Sequence, residues 1–435
     1  MANETITIPG GAHLHGTLPA ISSKSDLHRL IFCACLADTP SRIRFASELS
    51  KDIAATAHCF EALGAKLVFS GNELTVEKPL DRGNIPSDAE LFCNESGSTA
   101  RFLLPLASLL CTRGAVLTGA GKLPERPFED LCAALEAAGA RFDSHHLPMR
   151  ILQHANPHGY FEIRGNVSSQ YITGLLFILP LCGAQGIRLT TALESAGYVA
   201  LTADALRRYG VRVEHDGDIF RTVGSYRAPG GVIDAQGDWS NAAFWLCAAD
   251  ADATVTVTGL DLTSSQPDRR VCEILQSMGM KVDASDNRVT VSAPNGTHGM
   301  RFDARDIPDL VPILCVRAAV SQGETVITGI SRLRIKESDR VQTVCELVTK
   351  LGGDIRADAD SITVRGVRRL TGGTVDSFND HRIAMSAAVA AVFSTAPVTI
   401  RGCRAVEKSY PLFYKHYEAL SGLTLPAVQN EGALL

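Results

Sequence analysis

The sequence predicts an α/β protein of two domains, each built from three copies of one repeated unit. The first observation is a glycine that follows a helical segment six times, at intervals of 69 to 75 residues. A glycine suits the left-handed residue that ends a helix before a strand begins. Six such positions at a nearly constant spacing indicate a repeat. They are Gly64, Gly139, Gly210, Gly279, Gly352 and Gly422.

The second and third observations are a strand and an apolar helix that recur in phase with these glycines. The strands are predicted over 42–46, 116–119, 187–191, 255–259, 326–329 and 398–402. The helices that precede them are predicted over 30–36, 102–110, 172–181, 242–249, 311–320 and 383–392. Each unit therefore contains a buried helix, a strand, a second helix, the glycine and a further strand, over about 70 residues.

The number of repeats determines the expected domain organisation. A length of 435 residues alone suggests about three domains, but six units favour two domains of three units each. The segment Ala228-Pro-Gly-Gly231 is a turn-rich break near the middle of the chain. We therefore predict one domain over residues 21–235 and a second over 1–20 with 236–435, with crossings near 18–21 and 234–238.

Composition excludes several classes of function. The net charge is −5 and 20% of the residues are charged, so no basic field indicates a nucleic-acid or membrane partner. The apolar runs are too short or too interrupted to span a bilayer, and the first residues do not have the pattern of a secretory signal. We expect a cytoplasmic protein.

Cysteine and glycine patterns give no support to metals or cofactors. The twelve cysteines lie mostly in apolar helices, without a Cys-x-x-Cys pair, and are expected to be reduced and buried. Two histidine pairs have no third ligand type nearby, so no metal is predicted. The chain has no complete Gly-x-Gly-x-x-Gly or phosphate-loop motif, so no nucleotide cofactor is predicted.

A polar cluster occurs at the start of each predicted buried helix, where core packing does not require it. Helix N-termini bind anions, because they present free amides and the positive end of the helix dipole. The clusters are Ser23-Lys24-Ser25 with His28-Arg29, Glu95 to Arg101, Ser168-Ser169-Gln170-Tyr171, Asp238 to Asn241, Asp306 to Asp309, and Asn379-Asp380-His381-Arg382.

Seven cations near predicted helix starts carry the wrong sign for the dipole, at a cost of roughly 0.3 to 1 kcal/mol each. They are Lys24, Arg29, Arg101, Arg126, Lys336, Arg340 and Arg382. We interpret them as residues whose partners are bound phosphate and carboxylate groups. Simpler interpretations stay open: an arginine in a surface salt bridge, a solvated turn at Lys336 to Arg340, and plain N-capping at Ser168 to Gln170.

In this order, the motifs resemble the EPSP synthase family of enolpyruvyl transferases over nearly the whole chain. The most specific are Ser23-Lys24-Ser25 with Arg29, Gly97-Ser98 with Arg101, Glu125-Arg126-Pro127, Ser168-Ser169-Gln170, Asp306 to Asp309, Lys336 to Arg340, and Asn379 to Arg382. The resemblance implies a two-domain inside-out α/β barrel with three βαβαββ units per domain and with closure over the substrates.

The resemblance also implies the reaction. Such enzymes transfer the carboxyvinyl group of phosphoenolpyruvate to the 5-hydroxyl of shikimate 3-phosphate without a cofactor, in chorismate and aromatic amino acid biosynthesis, and they are monomers. Catalysis would involve Asp309, Glu337 and Lys24. Shikimate 3-phosphate would contact Lys24, Ser25, Arg29, Ser168, Ser169, Gln170, Ser195, Tyr198, Asp309 and Lys336. Phosphoenolpyruvate would contact Lys24, Gly97, Arg126, Gln170, Arg340, Arg382 and Lys408.

The chain departs from the family pattern at three positions, which are Ser22 for the usual glycine, His28 for the usual asparagine, and Arg332 where some members have asparagine. One alternative is the sister transferase that acts on UDP-N-acetylglucosamine. That family has a reactive cysteine after its second strand, whereas Gly119 to Pro127 contains none. Another is a non-catalytic relative that binds anionic metabolites, which would not need the acid and base groups.

Overall fold

The computed structural model describes residues 4–46 and 48–430, with residue 430 described by its backbone alone. The chain divides into two compact units, which we call the central unit, Ser22–Gln236, and the terminal unit, Gly237–Leu435 with Met1–Ile21. Each unit has its own hydrophobic core. The first strands, β1 (Glu4–Ile8) and β2 (Gly16–Pro19), belong to the terminal unit.

The central unit contains six helices among the described residues. They are α1 (Lys24–Leu36), α2 (Lys51–Ala62), α3 (Gly97–Leu110), α4 (Glu129–Ala137), α5 (Ser169–Ile178) and α6 (Ala196–Arg208). Its strands are β3 (Ser41–Arg44), β4 (Lys66–Ser70), β5 (Glu73–Lys78), β6 (Ala89–Phe92), β7 (Ala115–Thr118), β8 (Arg141–Phe142), β9 (Met149–Gln153), β10 (Tyr160–Ile163), β11 (Gly186–Leu189), β12 (Val211–Asp216), β13 (Ile219–Gly224) and β14 (Val232–Asp234). Short 3-10 helices cover Leu123–Glu125 and Leu179–Leu181.

The terminal unit continues with six helices in the part of the chain that the structure describes. They are α7 (Trp239–Ala248), α8 (Val271–Ser277), α9 (Val311–Ala319), α10 (Arg340–Lys350), α11 (His381–Ala390) and α12 (Phe413–Ser421). Its further strands are β15 (Val255–Thr258), β16 (Lys281–Ser285), β17 (Arg288–Ser292), β18 (Arg301–Asp303), β19 (Glu324–Thr328), β20 (Asp354–Ala357), β21 (Ser361–Arg365), β22 (Gly373–Asp376), β23 (Val398–Arg401) and β24 (Gln429–Asn430). The 3-10 helices are Pro267–Arg270, Pro308–Leu310, Ser331–Ile335, Ala391–Phe393 and Cys403–Lys408.

The strands form six four-stranded sheets of one topology, three in each unit. In every sheet an edge strand pairs in parallel with its neighbour, and the other two strands continue antiparallel. The central sheets have the orders β14-β3-β5-β4, β6-β7-β9-β8 and β10-β11-β13-β12. The terminal sheets have the orders β2-β15-β17-β16, β18-β19-β21-β20 and β22-β23-β1-β24. Side chains alternate between core and surface, as in β15, where the valines are buried.

The six predicted glycines do end their helices, since all have φ between 67° and 97°. The predicted strands and buried helices are confirmed, but several of these helices begin before their apolar segment. Helix α1 begins at Lys24 instead of Leu30, and α3 begins at Gly97 instead of Phe102. The reason is that a polar first turn, held by a capping side chain, precedes the apolar stretch. No helix in the described ranges is long and apolar enough to cross a membrane.

Candidate active site

The first turn of α1 contains Lys24 and Ser25. Ser23 caps this helix, because its Oγ accepts the amide of Asp26 at 3.3 Å. The Nζ of Lys24 lies 2.7 Å from Oδ2 of Asp52 in α2, and both side chains are mostly buried. The carboxylate of Asp52 therefore helps to fix the ammonium group of Lys24 at the start of α1.

Arg29 lies one turn further along α1 and is buried. Its Nε donates to Oγ1 of Thr202 at 2.8 Å, and its Nη1 and Nη2 donate to the carbonyls of Ser25 at 2.6 Å and Tyr198 at 3.0 Å. Burial lowers the pKa of Arg29 to about 10, and Asp26 partly opposes this shift. The guanidinium therefore stays charged at neutral pH, while the groups that accept its hydrogen bonds are neutral.

Gly97 opens α3 and packs against a guanidinium group. A Cβ atom placed on Gly97 would lie 2.5 Å from Nη1 and 2.9 Å from Cζ of Arg126. Arg126 follows the 3-10 helix Leu123–Glu125 and is 7% exposed. The absence of a side chain at Gly97 thus permits the close approach of Arg126, which is a contact that the sequence did not predict.

The first turns of α3 and α5 are joined through Gln170. The side-chain oxygen of Gln170 accepts from Nη1 of Arg101 at 2.8 Å, and its amide nitrogen donates to Oγ of Ser98 at 2.9 Å. Ser168 caps α5 by accepting the amide of Gln170 at 3.3 Å, so the capping interpretation of this serine is confirmed. Ser169 is buried beside it. Arg101 thereby positions a predicted substrate contact.

Helix α6 begins at a strained residue. Ser195, at the N-cap, has φ of 57° and ψ of 42°, in the left-handed region. A non-glycine residue in this region costs on the order of 1 kcal/mol or more, and such residues cluster at functional sites. Tyr198 lies in the first turn of this helix, and its carbonyl accepts from Arg29. Two predicted substrate contacts therefore share a strained helix start.

In the terminal unit, the candidate residues gather around Arg340. Its side chain is 1% exposed and bonds to three carboxylates: Nε to Asp380 at 2.8 Å, Nη1 to Asp309 at 2.7 Å, and Nη2 to Glu337 at 2.8 Å. Burial alone would lower the pKa of Arg340, but these carboxylates raise it well above the usual value. Arg340 is therefore a permanent cation that is shared among several acids.

Asp309 lies in the 3-10 helix Pro308–Leu310 and bridges two arginines. Besides its bond to Arg340, its Oδ2 accepts from Nη2 of Arg382 at 3.3 Å. Burial opposes ionisation of this group, but Arg382, Arg340 and Lys336 together hold the pKa of Asp309 far below its usual range. In this arrangement the expected proton acceptor is a weak base.

Arg382 and two lysines complete this group of residues. The side chain of Arg382 is 4% exposed, and its Nε and Nη1 have no hydrogen-bond partner among the described residues. Buried donors without partners cost about 1 to 3 kcal/mol each, which indicates a place for an anion. Burial lowers the pKa of Lys336 to about 8, with Asp309 opposing the shift. Nζ of Lys408 donates to the carbonyl of Asn379.

Of the seven cations interpreted as partners of bound anions, Lys24 and Arg340 pair with carboxylates of the chain. The dipole argument fails for Arg126 and Lys336, because these residues follow short 3-10 helices and do not open a long helix. Two of the guanidinium nitrogens of Arg382 have no hydrogen-bond partner among the described residues.

Three carboxylates near the predicted residues were absent from the predicted site. Asp52 and Asp380 fix Lys24 and Arg340. Asp268 is 1% exposed, accepts a hydrogen bond from Ser240, and has a pKa raised to about 7 by burial and by Asp309. Their positions depend on packing between separate helices, and only Asp380 lies in a motif that the sequence marks.

Solved structures share this architecture. EPSP synthase from Acinetobacter baumannii matches with a TM-score of 0.81 and 25% identity, over 98% of this chain and all of that one. The enolpyruvyl transferase NikO from Streptomyces tendae matches in fold with a TM-score of 0.78 and 19% identity, over 99% of this chain and all of that one. The fold is therefore that of the enolpyruvyl transferases.

The family model of EPSP synthase (3-phosphoshikimate 1-carboxyvinyltransferase) matches residues 8–416. Proteins named 3-phosphoshikimate 1-carboxyvinyltransferase are 38% identical in Clostridium novyi (strain NT), over 95% of this chain and 96% of the relative, and 39% identical in Clostridium acetobutylicum, over 94% and 96%. The chain belongs to the EPSP synthase family. The predicted transfer of the carboxyvinyl group from phosphoenolpyruvate to shikimate 3-phosphate, in aromatic biosynthesis, is confirmed.

Proposed function

We propose that, in this chain, Asp309, Glu337 and Lys24 carry the proton transfers of the carboxyvinyl transfer. The 5-hydroxyl of shikimate 3-phosphate adds to the enol carbon of phosphoenolpyruvate while the methylene carbon takes a proton. The tetrahedral adduct then loses phosphate. The observation that carries this assignment is that Asp309 and Glu337 bond to the same buried guanidinium of Arg340, which places acid and base groups among cations suited to anionic substrates.

Shikimate 3-phosphate is proposed to bind through a set rich in hydroxyl and amide groups. Two features of the central unit support this set, namely a buried Arg29 whose bonded partners are neutral and the strained Ser195. Hydroxyls, amides and arginine donate well to phosphate and ring oxygens. The set is Lys24, Ser25, Arg29, Ser168, Ser169, Gln170, Ser195, Tyr198, Asp309 and Lys336.

Phosphoenolpyruvate is proposed to bind through a set dominated by cations. The two nitrogens of Arg382 without partners among the described residues support it, as does the packing of Arg126 on Gly97. Two anionic substrates repel each other, so fixed cations are needed to hold them in contact. The set is Lys24, Gly97, Arg126, Gln170, Arg340, Arg382 and Lys408.

In the proposed mechanism, Asp309 accepts the proton of the 5-hydroxyl, while Glu337 and Lys24 serve proton transfer at the methylene carbon. Holding two reactants in a reactive geometry can remove roughly 7 to 11 kcal/mol of a barrier. Neither a metal nor a cofactor is proposed. Turnover that survives dialysis against a chelator is therefore expected.

The test is phosphate release by the purified full chain. We expect release when phosphoenolpyruvate and shikimate 3-phosphate are both present, and none with either substrate alone. Turnover with UDP-N-acetylglucosamine but not with shikimate 3-phosphate would instead support the sister activity. Binding of both substrates without turnover would support a non-catalytic relative.

We also propose that the central and terminal units correspond to the two enolpyruvyl-transferase domains, and that the protein works as a monomer in the cytoplasm. The three sheets of common topology in each unit support the domain assignment. A single species of about 46 kDa in light scattering is expected for a chain of 46.4 kDa. A particle of twice that mass would contradict the monomer.

A further inference from the structure

We infer that Asp309 is an internal competitor for the anionic groups of the substrates. Its carboxylate occupies Arg340 and Arg382 until a substrate carboxylate or phosphate displaces it. This inference rests on the proposed function of the same site. It adds a second role to the proposed proton acceptor, because Asp309 would also set the affinity and the timing with which the arginines accept a substrate.

The bonding pattern distinguishes Asp309 from the other acids. Among the described residues, Asp309 is the acid whose carboxylate accepts from both guanidinium groups, at 2.7 Å from Arg340 and 3.3 Å from Arg382. Asp380 is fully buried and is held by Oγ of Ser338 at 2.9 Å and by the amide of Arg382 at 2.9 Å. The side chain of Asp309 is 23% exposed and therefore has room to move, whereas that of Asp380 is fully buried.

The guanidinium of Arg382 offers a place where exchange can begin. Its Nε and Nη1 lack partners among the described residues, so an anion can bond there without breaking an existing contact. The bond from Arg382 to Asp309, at 3.3 Å, is longer than the bond from Arg340, at 2.7 Å, and is therefore the weaker of the two. An anion at Arg382 would repel Asp309 and weaken the remaining bond to Arg340.

Displacement would change the chemistry of Asp309. Arg382, Arg340 and Lys336 hold the pKa of its carboxyl far below the usual range. Once a substrate anion takes the arginines, this pKa rises towards that of an ordinary aspartate, and Asp309 becomes a stronger base. The base would therefore gain strength when a substrate is bound, which ties proton abstraction to occupancy of the site.

The experiment measures binding of inorganic phosphate to the full chain by isothermal titration calorimetry. The variants are Asp309→Asn, which keeps the shape of the side chain, and Glu337→Gln as the matched control. Glu337 bonds to Arg340 at 2.8 Å, whereas Asp309 bridges both arginines. We expect Asp309→Asn to bind phosphate about tenfold more tightly than the unmodified chain, which corresponds to about 1.4 kcal/mol. We expect less than about threefold for Glu337→Gln.

Equal or weaker phosphate binding by Asp309→Asn would overturn the inference, as would an equal gain in both variants. If Asp309→Asn does not give a cooperative thermal unfolding transition, Asp309→Ser is measured against the same criteria. The single substitution Arg382→Gln should abolish most of the phosphate binding.

Turnover of the substrate pair is assayed separately. Absent turnover by the unmodified chain, together with tighter phosphate binding by Asp309→Asn, would refute the proposed function alone, so the two failures are distinguishable.

Discussion

The central and terminal units repeat one topology, but the buried arginines of their candidate sites have different partners. In the central unit, buried Arg29 and Arg101 donate to hydroxyls, an amide oxygen and backbone carbonyls. In the terminal unit, Arg340 bonds to three carboxylates. The same scaffold therefore supports site arginines whose bonded partners are neutral and a site arginine, Arg340, whose charge is neutralised by carboxylates of the chain. We propose that Arg29, in the central unit, anchors shikimate 3-phosphate, and that Arg340, in the terminal unit, holds the proposed proton acceptor Asp309.

The N-cap residues of the helices also differ in charge between the two units. Among the helices that the structure describes, four helices of the central unit have a side-chain N-cap, and each of these caps is a serine. The serines are Ser23, Ser50, Ser96 and Ser168. The corresponding caps of the terminal unit are aspartates, which are Asp238, Asp339 and Asp380. Both residue types accept amide hydrogen bonds well. Only aspartate also places a negative charge at the positive end of the helix dipole, where it competes with an anionic ligand.

The largest effect is expected when the proposed base of the terminal unit is removed. In Asp309→Ala, the turnover number at saturating substrates should fall by roughly 10² to 10⁴, the usual contribution of general base catalysis. Phosphate binding should be retained and become tighter, because Arg340 and Arg382 remain and the competing carboxylate is gone. Steady-state kinetics and calorimetry check the two statements. Unchanged turnover would remove Asp309 from the catalytic residues.

The next effect concerns Arg126, which packs against Gly97. In Gly97→Ala, the added methyl group would lie 2.5 Å from Nη1 of Arg126, so the guanidinium must move. A misplacement of about 1 Å can cost up to 10²-fold in rate. We expect the KM for phosphoenolpyruvate to rise at least about tenfold, with a small change in the KM for shikimate 3-phosphate. The control is Gly159→Ala, where no atom lies within 4 Å of the added group.

A cap exchange tests the contrast between the units directly. Ser168→Asp keeps a good N-cap for α5 but adds a charge where a neutral oxygen now accepts the amide of Gln170. We expect the dissociation constant for shikimate 3-phosphate to rise about tenfold, since like charges a few Å apart near a protein surface repel by several kcal/mol before screening. Asp339→Ser, the reverse exchange in the terminal unit, should leave that constant within about twofold. Equal effects of both exchanges would refute the contrast.

The repeated fold could be predicted because each unit repeats local signals. A left-handed glycine, a β-branched strand and an apolar helix are encoded within short windows, and they recur in phase. Family motifs likewise identify Lys24, Arg340 and Arg382. The pairing of Lys24 with Asp52 and the position of Asp268 near Arg382 could not be predicted, because Asp52 and Asp268 lie in segments that carry no motif. The charge state of Asp309 depends on two arginines that lie far along the chain, and it follows from packing alone.

The smallest effect is a pair of opposed pH dependences, one in each unit. In the central unit, burial lowers the pKa of His28 well below its usual value, and Lys24 and Arg29 add to the shift. Its Nδ1 bonds to Oγ1 of Thr56 at 2.8 Å. Below a pH of about 6.5 the unfolded chain takes up a proton that the folded chain refuses. His28 therefore reduces stability as the pH falls.

Asp268, in the terminal unit, acts in the opposite direction. Burial and Asp309 raise its pKa from 3.8 to about 7, so between these values the folded chain holds a proton that the unfolded chain releases. Its contribution is present in full below pH 3.8 and is lost as the pH rises through about 7. The two groups therefore oppose each other between pH 7 and pH 6, each by about 1 kcal/mol or less.

Urea unfolding at pH 7 and pH 6 separates the two contributions. In His28→Asn, which installs the usual family residue, stability should rise by about 1 kcal/mol on acidification, because the effect of Asp268 remains. In Asp268→Asn, stability should fall over the same interval. If the free energy of unfolding changes in the same direction in both variants between pH 7 and pH 6, His28 and Asp268 do not make the opposed contributions. His28 lies beside Lys24 and Arg29, while Asp268 lies near Asp309 and Arg382. Stability changes of opposite sign in the two variants would therefore show that the two units also differ in how their stability depends on pH.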